Sequence, residues 1–132
     1  MRITADTNIL VRAVLEDDPR QAALAQRILS EAELVAVPVS ALCEFVWVLA
    51  RGYGIAPRDI AGALRGLLAS AHVQTDRPAV EAGLALLDAG GDFADGVIAQ
   101  QGSALGGHMF VSFDKDAIKR LAVLGWDTLL PR

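Results

Sequence analysis

Four acidic residues occupy positions from which they could act on one substrate: Asp6, Glu44, Asp95 and Asp114. Asp6 and Asp114 each follow a short apolar run that is typical of a buried strand. In open α/β sheets, ligands bind in the crevice beyond the carboxyl ends of the strands. We therefore expect the carboxylates of Asp6 and Asp114 to stand in such a crevice.

Glu44 is the only charged residue within residues 41–50, an otherwise apolar segment that predicts a mostly buried helix. A buried carboxylate without a partner is costly, so it must be paired, protonated or bound to metal. The alternatives are an ion pair with a distant arginine and exposure on a narrow polar stripe. Ser40 is the predicted N-cap, which would place a capping-box acid at residue 43 and leaves Glu44 without that role.

Each of the remaining acids also has a purely structural interpretation. Asp92 and Asp95 open a predicted helix with the spacing D-x-x-D, where Asp92 could cap and Asp95 could occupy the box position. Asp114 could cap the next helix, with Asp116 in its first turn. Asp6 or Thr7 could likewise cap the first helix.

Taken together, the acids favour a shared metal-binding pocket. In a parallel sheet, strand ends and helix starts meet at the same edge, so Asp6, Glu44, Asp95 and Asp114 could lie together. Their charges would raise one another's pKa values unless cations neutralised them. Oxygen ligands without cysteine or histidine favour Mg²⁺ or Mn²⁺ over zinc. Such ions activate water and stabilise the charge of a phosphoryl group during transfer.

The elements that would position these acids alternate between strand and helix. This alternation predicts an α/β fold, a three-layer α/β/α sandwich with a central, mainly parallel sheet, formed by one domain over residues 1–132. The predicted strands are residues 3–5, 34–37, 72–75, 109–112 and 126–130. The predicted helices are residues 9–15, 19–30, 41–50, 57–70, 78–88, 92–105 and 117–123.

Composition excludes several classes of protein. The 132 residues are 53% hydrophobic and 21% charged, which indicates a globular chain. A single cysteine excludes an internal disulfide and, with no apparent signal peptide, favours the cytoplasm. No apolar run approaches the roughly 20 residues of a membrane span. The net charge of −4 argues against broad electrostatic binding to nucleic acid, but not against a nucleic-acid substrate held through metal ions.

The ordered set of motifs resembles PIN-domain ribonucleases, and specifically the VapC family of toxins from bacterial toxin–antitoxin operons. The resemblance rests on Asp6-Thr7-Asn8, on Glu44, on DFADGVIA at residues 92–99 and on SFDKD at residues 112–116, and it spans essentially the whole chain. It implies a PIN-like fold and a Mg²⁺- or Mn²⁺-dependent endoribonuclease that hydrolyses phosphodiester bonds in RNA.

By position, the resemblance implies that the catalytic, metal-binding acids are Asp6, Glu44, Asp95 and Asp114. It implies that Thr7 or Ser112 orients the site by hydrogen bonds, and that Asp92 and Asp116 support it. Asp114 and Asp116 are both available as the fourth acid.

The resemblance also implies a cognate antitoxin protein. A mean hydropathy of +0.38 in so small a chain predicts more apolar surface than it can bury alone, and hence a homodimer. We expect the helices at residues 41–50 and 57–70 to supply these interfaces.

Two other functions remain open. One is a non-catalytic PIN-like module that binds a partner, which would not need a buried Glu44. The other is a Mg²⁺-dependent phosphatase of another α/β family. Such a phosphatase would want a second acid two residues after its nucleophilic aspartate, and Asn8 stands at that position after Asp6.

Overall fold

The structure, a computed structural model, describes residues 1–132 and contains seven α-helices, one π-helical segment and five short strands. The chain divides into two compact units, Met1–Asp76 and Arg77–Arg132. The prediction that residues 1–132 form a single domain stays a prediction. No helix combines the length and the apolar character that crossing a membrane requires.

The first unit contains a three-stranded parallel sheet. Its elements in chain order are β1 (Arg2–Thr4), α1 (Thr7–Val14), α2 (Pro19–Glu31), β2 (Leu34–Ala36), α3 (Val39–Trp47), a π-helical segment (Val48–Gly52), α4 (Pro57–Ala69) and β3 (Val73–Gln74). The strand order is β1–β2–β3, so β2 lies in the middle. Ile3 lies opposite Val35, and Val35 lies opposite Val73.

The core of the first unit surrounds the middle strand. Val35 is completely buried, as expected for a strand of a parallel sheet that is covered on both faces. Leu42, Leu49 and Leu64 bring completely buried side chains from α3, the π-helical segment and α4. The unbroken apolar run at residues 34–37 therefore contains the strand that the sequence predicts, and the structure bounds this strand at Leu34–Ala36.

The second unit contains a pair of parallel strands and three helices. Its elements are α5 (Arg77–Asp88), α6 (Phe93–Ala104), β4 (Phe110–Val111), α7 (Lys115–Val123) and β5 (Thr128–Leu129). Phe110 lies opposite Thr128 across the pair. Buried side chains of α5, α6 and α7 form its core cluster: Leu86, Ala99 and Leu121.

Helices α5 and α6 approach each other closely at two glycines. A Cβ atom added to Gly96 would lie 2.8 Å from the Cα atom of Gly83 and 2.8 Å from the carbonyl carbon of Ala82. The completely buried ring of Phe93 fills the space where a Cβ of Gly83 would be. Only residues without side chains fit at this crossing, so the start of α6 lies directly against the α5 backbone.

The prediction of an α/β fold with parallel strands is confirmed, since every strand pair is parallel. The prediction that Ser40 caps the third helix is wrong: α3 begins at Val39, follows Pro38, and has no side-chain cap. Its α-helical part also ends at Trp47, where the π-helical segment takes over, and not at residue 50.

Candidate active site

Asp6 lies between the end of β1 and the start of α1. The backbone N–H of the buried Ala5 donates to the Ala36 carbonyl at 2.9 Å, which carries the strand pairing up to the residue before Asp6. Asp6 is the N-cap of α1, and its Oδ1 accepts from the Thr7 N–H at 2.8 Å. The cap uses one carboxylate oxygen, and Asp6 itself is exposed. The capping and ligand roles are therefore compatible.

Glu44 lies on α3 and is exposed, so the prediction that its carboxylate is buried is wrong. The exposed residues of this segment include Ser40, Glu44, Trp47 and Arg51, which recur at helical spacing and form one narrow stripe. The flanking residues face the core, which explains the apolar sequence around a solvent-facing acid. Glu44 makes no ion pair with any arginine.

Asp6 and Glu44 line one cavity of about 260 Å³ in the first unit. The structure therefore brings together the first two predicted acids, although they are 38 positions apart in the chain. We call this the acid cavity; its other lining residues are Thr7, Asn8, Val11, Arg12, Val48 and Tyr53. Tyr53 is not among the site residues predicted from sequence, and its only sequence signal is its place at the end of the helical stretch that carries Glu44.

Thr7 has an unusual environment in the acid cavity. The residue is only 7% exposed, and its Oγ1 has no hydrogen-bond partner. Most buried polar groups in proteins are hydrogen-bonded, so an orphaned hydroxyl needs an explanation such as an ion or a water molecule. A hydrated cation held by the neighbouring carboxylates would supply the missing partner. The residues of the acid cavity therefore fit a hard divalent metal ion, whose preferred ligands are oxygen atoms.

The second unit holds the remaining acids at the starts of two helices. Asp92 is the N-cap of α6 and accepts from the Ala94 N–H at 3.0 Å, and Asp95 lies in the first turn. Asp114 is the N-cap of α7, and its Oδ1 accepts from the N–H groups of residues 116 and 117 at 3.0 and 3.1 Å. Ser112 Oγ accepts from the Asp114 N–H at 3.0 Å and so holds the backbone of Asp114. That Thr7 or Ser112 orients the site stays a prediction.

Asp95 carries the electrostatic signature of a crowded acidic site. Burial and, to a smaller extent, the negative charges of Asp92, Asp114 and Asp116 together raise its pKa from 3.8 to about 6. These carboxylates are therefore within electrostatic reach of one another in the second unit. A cation would relieve the same repulsion.

Asp114 and Asp116 differ in how they are engaged. Asp116 Oδ2 accepts from Arg120 Nε at 2.9 Å, and Arg120 Nη1 also donates to the Ala89 carbonyl at 2.7 Å. The negative charge of Asp116 is thus compensated within the protein. Asp114 has no cationic partner, and only its Oδ1 is used by the helix cap.

Neither unit by itself holds three or more acidic, histidine or cysteine side chains in an arrangement that could enclose a metal ion. The structure pairs Asp6 with Glu44 in the first unit and groups Asp92, Asp95, Asp114 and Asp116 in the second. Convergence of the four predicted acids on one ion stays a prediction.

Comparison with known proteins agrees with the resemblance at the level of the domain family. The PIN domain family matches residues 3–124 of the chain. No curated protein matches the chain significantly. A match to this family indicates a nuclease fold, and PIN domains are commonly metal-dependent nucleases. Because the match covers nearly the whole sequence and includes every acid described above, the chain belongs to the PIN domain family.

Proposed function

We propose that the chain is a Mg²⁺- or Mn²⁺-dependent endoribonuclease, and that it is the toxin of a toxin–antitoxin pair related to the VapC family. One observation carries the nuclease proposal: none of Asp6, Glu44, Asp95 and Asp114 has a cationic partner in the protein. Carboxylates that are left uncompensated at strand ends and helix starts of a PIN domain are suited to hold divalent ions.

In this proposal, Asp6, Glu44, Asp95 and Asp114 hold the metal. Bound Mg²⁺ or Mn²⁺ would activate the attacking water and neutralise charge on the phosphate. The protein contributes the positions of the acids. The caps of α1 and α7 fix one oxygen of Asp6 and of Asp114 and leave the other oxygen for a ligand. Ser112 holds the backbone of Asp114, and Thr7 offers its unpartnered hydroxyl.

We take Asp114 as the fourth acid and give Asp116 a supporting role. The reason is that Arg120 already compensates the negative charge of Asp116, whereas Asp114 has no cationic partner. Asp92 also has a supporting role, because its carboxylate caps α6 and its charge acts on Asp95.

The test of the nuclease proposal is cleavage of end-labelled single-stranded RNA by the purified protein. Cleavage in Mg²⁺ or Mn²⁺ should be abolished by excess EDTA and restored by added metal. Glu44→Gln and Asp114→Asn should lower the rate by orders of magnitude, because each removes a charged ligand and keeps the size of the side chain. Glu81→Gln is the matched control, because Glu81 is an exposed acid of α5 outside the set.

Two results would refute the proposal. One is full cleavage in EDTA, which would point to a metal-free mechanism. The other is no cleavage of any RNA by a folded, metal-loaded protein, which would favour a non-catalytic PIN-like module. The exposure of Glu44 is compatible with such a module, because an exposed acid needs no ligand to be tolerated. A phosphatase stays the weaker alternative, since Asn8 replaces the second acid that it would need.

The partner proposals are a homodimer and a cognate antitoxin. They are supported by large apolar side chains that remain exposed, including Trp47 on α3 and Leu24 and Ile28 on α2. Helix α4, which the sequence analysis expected to contribute, exposes no large apolar side chain comparable to these. Light scattering of the protein, alone and with the product of the neighbouring gene, tests both proposals. A strict monomer that neither binds nor is inhibited by that product would contradict them.

A further inference from the structure

The acid cavity contains two side chains that no metal site requires. Arg12 and Tyr53 line it together with Asp6 and Glu44. One is a cation and the other an aromatic ring, and these are the two side-chain types that contact single-stranded RNA, through its phosphates and through its bases. Their presence beside the acids gives the cavity the composition of a nucleotide-binding site.

Tyr53 is held at the cavity by an irregular stretch of backbone. Helix α3 changes to a π-helix over Val48–Gly52, and Tyr53 follows directly. Gly54 adopts a positive φ of 63°, and the Ile55 N–H donates to the Leu49 carbonyl at 3.0 Å, which closes the turn. π-helical turns are rare and occur frequently at functional sites. The side chain that this turn presents is 44% exposed, so an aromatic ring remains available to a ligand.

Arg12 has a partner that it can exchange. Its Nη1 donates to Asp17 Oδ1 at 3.1 Å and to Oδ2 at 3.3 Å, and the two side chains are 37% and 48% exposed. An exposed ion pair of this kind contributes little to stability. An incoming phosphate can replace Asp17, because guanidinium groups also form charge-assisted hydrogen bonds with phosphate oxygens.

We propose that the acid cavity binds one nucleotide of the RNA next to the cleaved bond, with the base stacked on Tyr53 and a phosphate on Arg12. The proposal rests on the proposed ribonuclease function and adds its substrate contacts. The cavity of about 260 Å³ is slightly smaller than the roughly 300 Å³ at which typical ligand clefts begin, so it could take one nucleotide but not a folded RNA. Tyr53 and Arg12 are binding residues here, and the acids remain the catalytic ones.

The first experiment separates binding from chemistry at Tyr53. Single-turnover cleavage of a labelled single-stranded RNA in Mg²⁺ gives a half-saturating protein concentration and a maximal rate for each variant. Tyr53→Ala should raise the half-saturating concentration at least about fivefold, since stacking on one base contributes at least that much to affinity, and should change the maximal rate little. Tyr53→Phe keeps the ring and should behave like wild type. Leu105→Ala is the control for loss of an exposed apolar side chain, because Leu105 is 90% exposed and lies outside the cavity.

The second experiment tests for a gain in affinity for RNA. Asp17→Asn releases Arg12 and should lower the half-saturating concentration about two- to fivefold, the range expected for the loss of an exposed competing ion pair. Glu31→Gln is the matched control: it changes the net charge equally and breaks the exposed pair with Arg27, but neither residue lines the acid cavity. Arg12→Ala should raise the half-saturating concentration and abolish the effect of Asp17→Asn.

The outcomes distinguish this inference from the function on which it rests. If wild type cuts RNA and Tyr53→Ala or Arg12→Ala leaves the half-saturating concentration unchanged, the inference is wrong and the ribonuclease proposal stands. If Tyr53→Phe loses as much affinity as Tyr53→Ala, the hydroxyl acts and stacking is refuted. If folded wild type neither cuts nor binds RNA, both proposals are refuted. Circular dichroism of each variant confirms that the fold is retained.

Discussion

Asp95→Asn should stabilise the metal-free protein at neutral and alkaline pH. The substitution keeps the size of the side chain and removes a charge that burial and three neighbouring carboxylates disfavour. A pKa raised from 3.8 to about 6 corresponds to at most about 3 kcal/mol against the ionised form. Asp95 is only partly buried, and solvent screens the charges of its neighbours, so we expect a gain of about 1 kcal/mol.

The sign of the pH dependence follows from the direction of the pKa change. The pKa of Asp95 is higher in the folded than in the unfolded state, so the fold binds its proton more tightly. Below about pH 3.8 the side chain is protonated in the folded and the unfolded state and does not lower the free energy of unfolding. Above about pH 6 it is ionised in both states, and its full destabilising effect is reached. The gain from Asp95→Asn should therefore be larger at pH 8 than at pH 4.5.

Urea denaturation in EDTA at these two pH values measures the effect, with Glu81→Gln as the control for loss of an ordinary exposed carboxylate. Saturating Mg²⁺ at pH 8 should make wild type more stable than Asp95→Asn. An ion that binds only the folded state stabilises that state, and wild type should bind Mg²⁺ more tightly than the variant. The electrostatic reasoning would be refuted if Asp95→Asn and wild type differed in free energy of unfolding by the same amount at pH 4.5 and pH 8, or did not differ at pH 8.

Three further substitutions test the packing of α5 against α6, the choice of the fourth acid and the hydroxyl group of Thr7. Gly96→Ala should lower the free energy of unfolding by about 3 kcal/mol, because the new methyl group would meet the α5 backbone near Gly83; a thermal shift within error of wild type would contradict this packing. Asp114→Asn should reduce RNA cleavage far more than Asp116→Asn, which is read by initial rates in Mg²⁺, and equal losses would undo the assignment of the fourth acid. Thr7→Val should raise the stability of the EDTA-treated protein by up to about 1 kcal/mol, because it removes an unpartnered buried hydroxyl, and should weaken Mg²⁺ binding measured by calorimetry. A loss of stability in EDTA would show that the hydroxyl is bonded within the fold.

The positions of Asp6 and Asp114 at the junctions of strands and helices could be predicted from sequence, because local signals determine them. A short apolar run followed by an aspartate specifies both the end of a strand and the cap of the next helix. At these two residues the structural interpretation leaves room for the functional one, because each acid caps its helix with one oxygen.

The environment of Glu44 could not be predicted from the apolar content of its segment. Exposure depends on the face of the helix, and the spacing of Ser40, Glu44, Trp47 and Arg51 is the better guide to it. The π-helical segment has no comparable signal, because the change of hydrogen-bond register at Val48 depends on how the whole unit packs. The ion pair of Asp116 could not be predicted either. It forms because Arg120 donates to Asp116 and to the Ala89 carbonyl at the same time, and only the folded unit shows these contacts.

The glycine crossing of α5 and α6 has a consequence for how this protein can evolve. Asp95 immediately precedes Gly96, so the acid is anchored by one backbone resting on another and not by interlocking side chains. Substitutions elsewhere in the hydrophobic interior, at positions such as Leu86 or Leu121, can accumulate over generations and be compensated by their neighbours without displacing the acid. Sequence drift among descendants of this chain should therefore be wide in the interior and narrow at the two glycines, even though neither glycine takes part in chemistry.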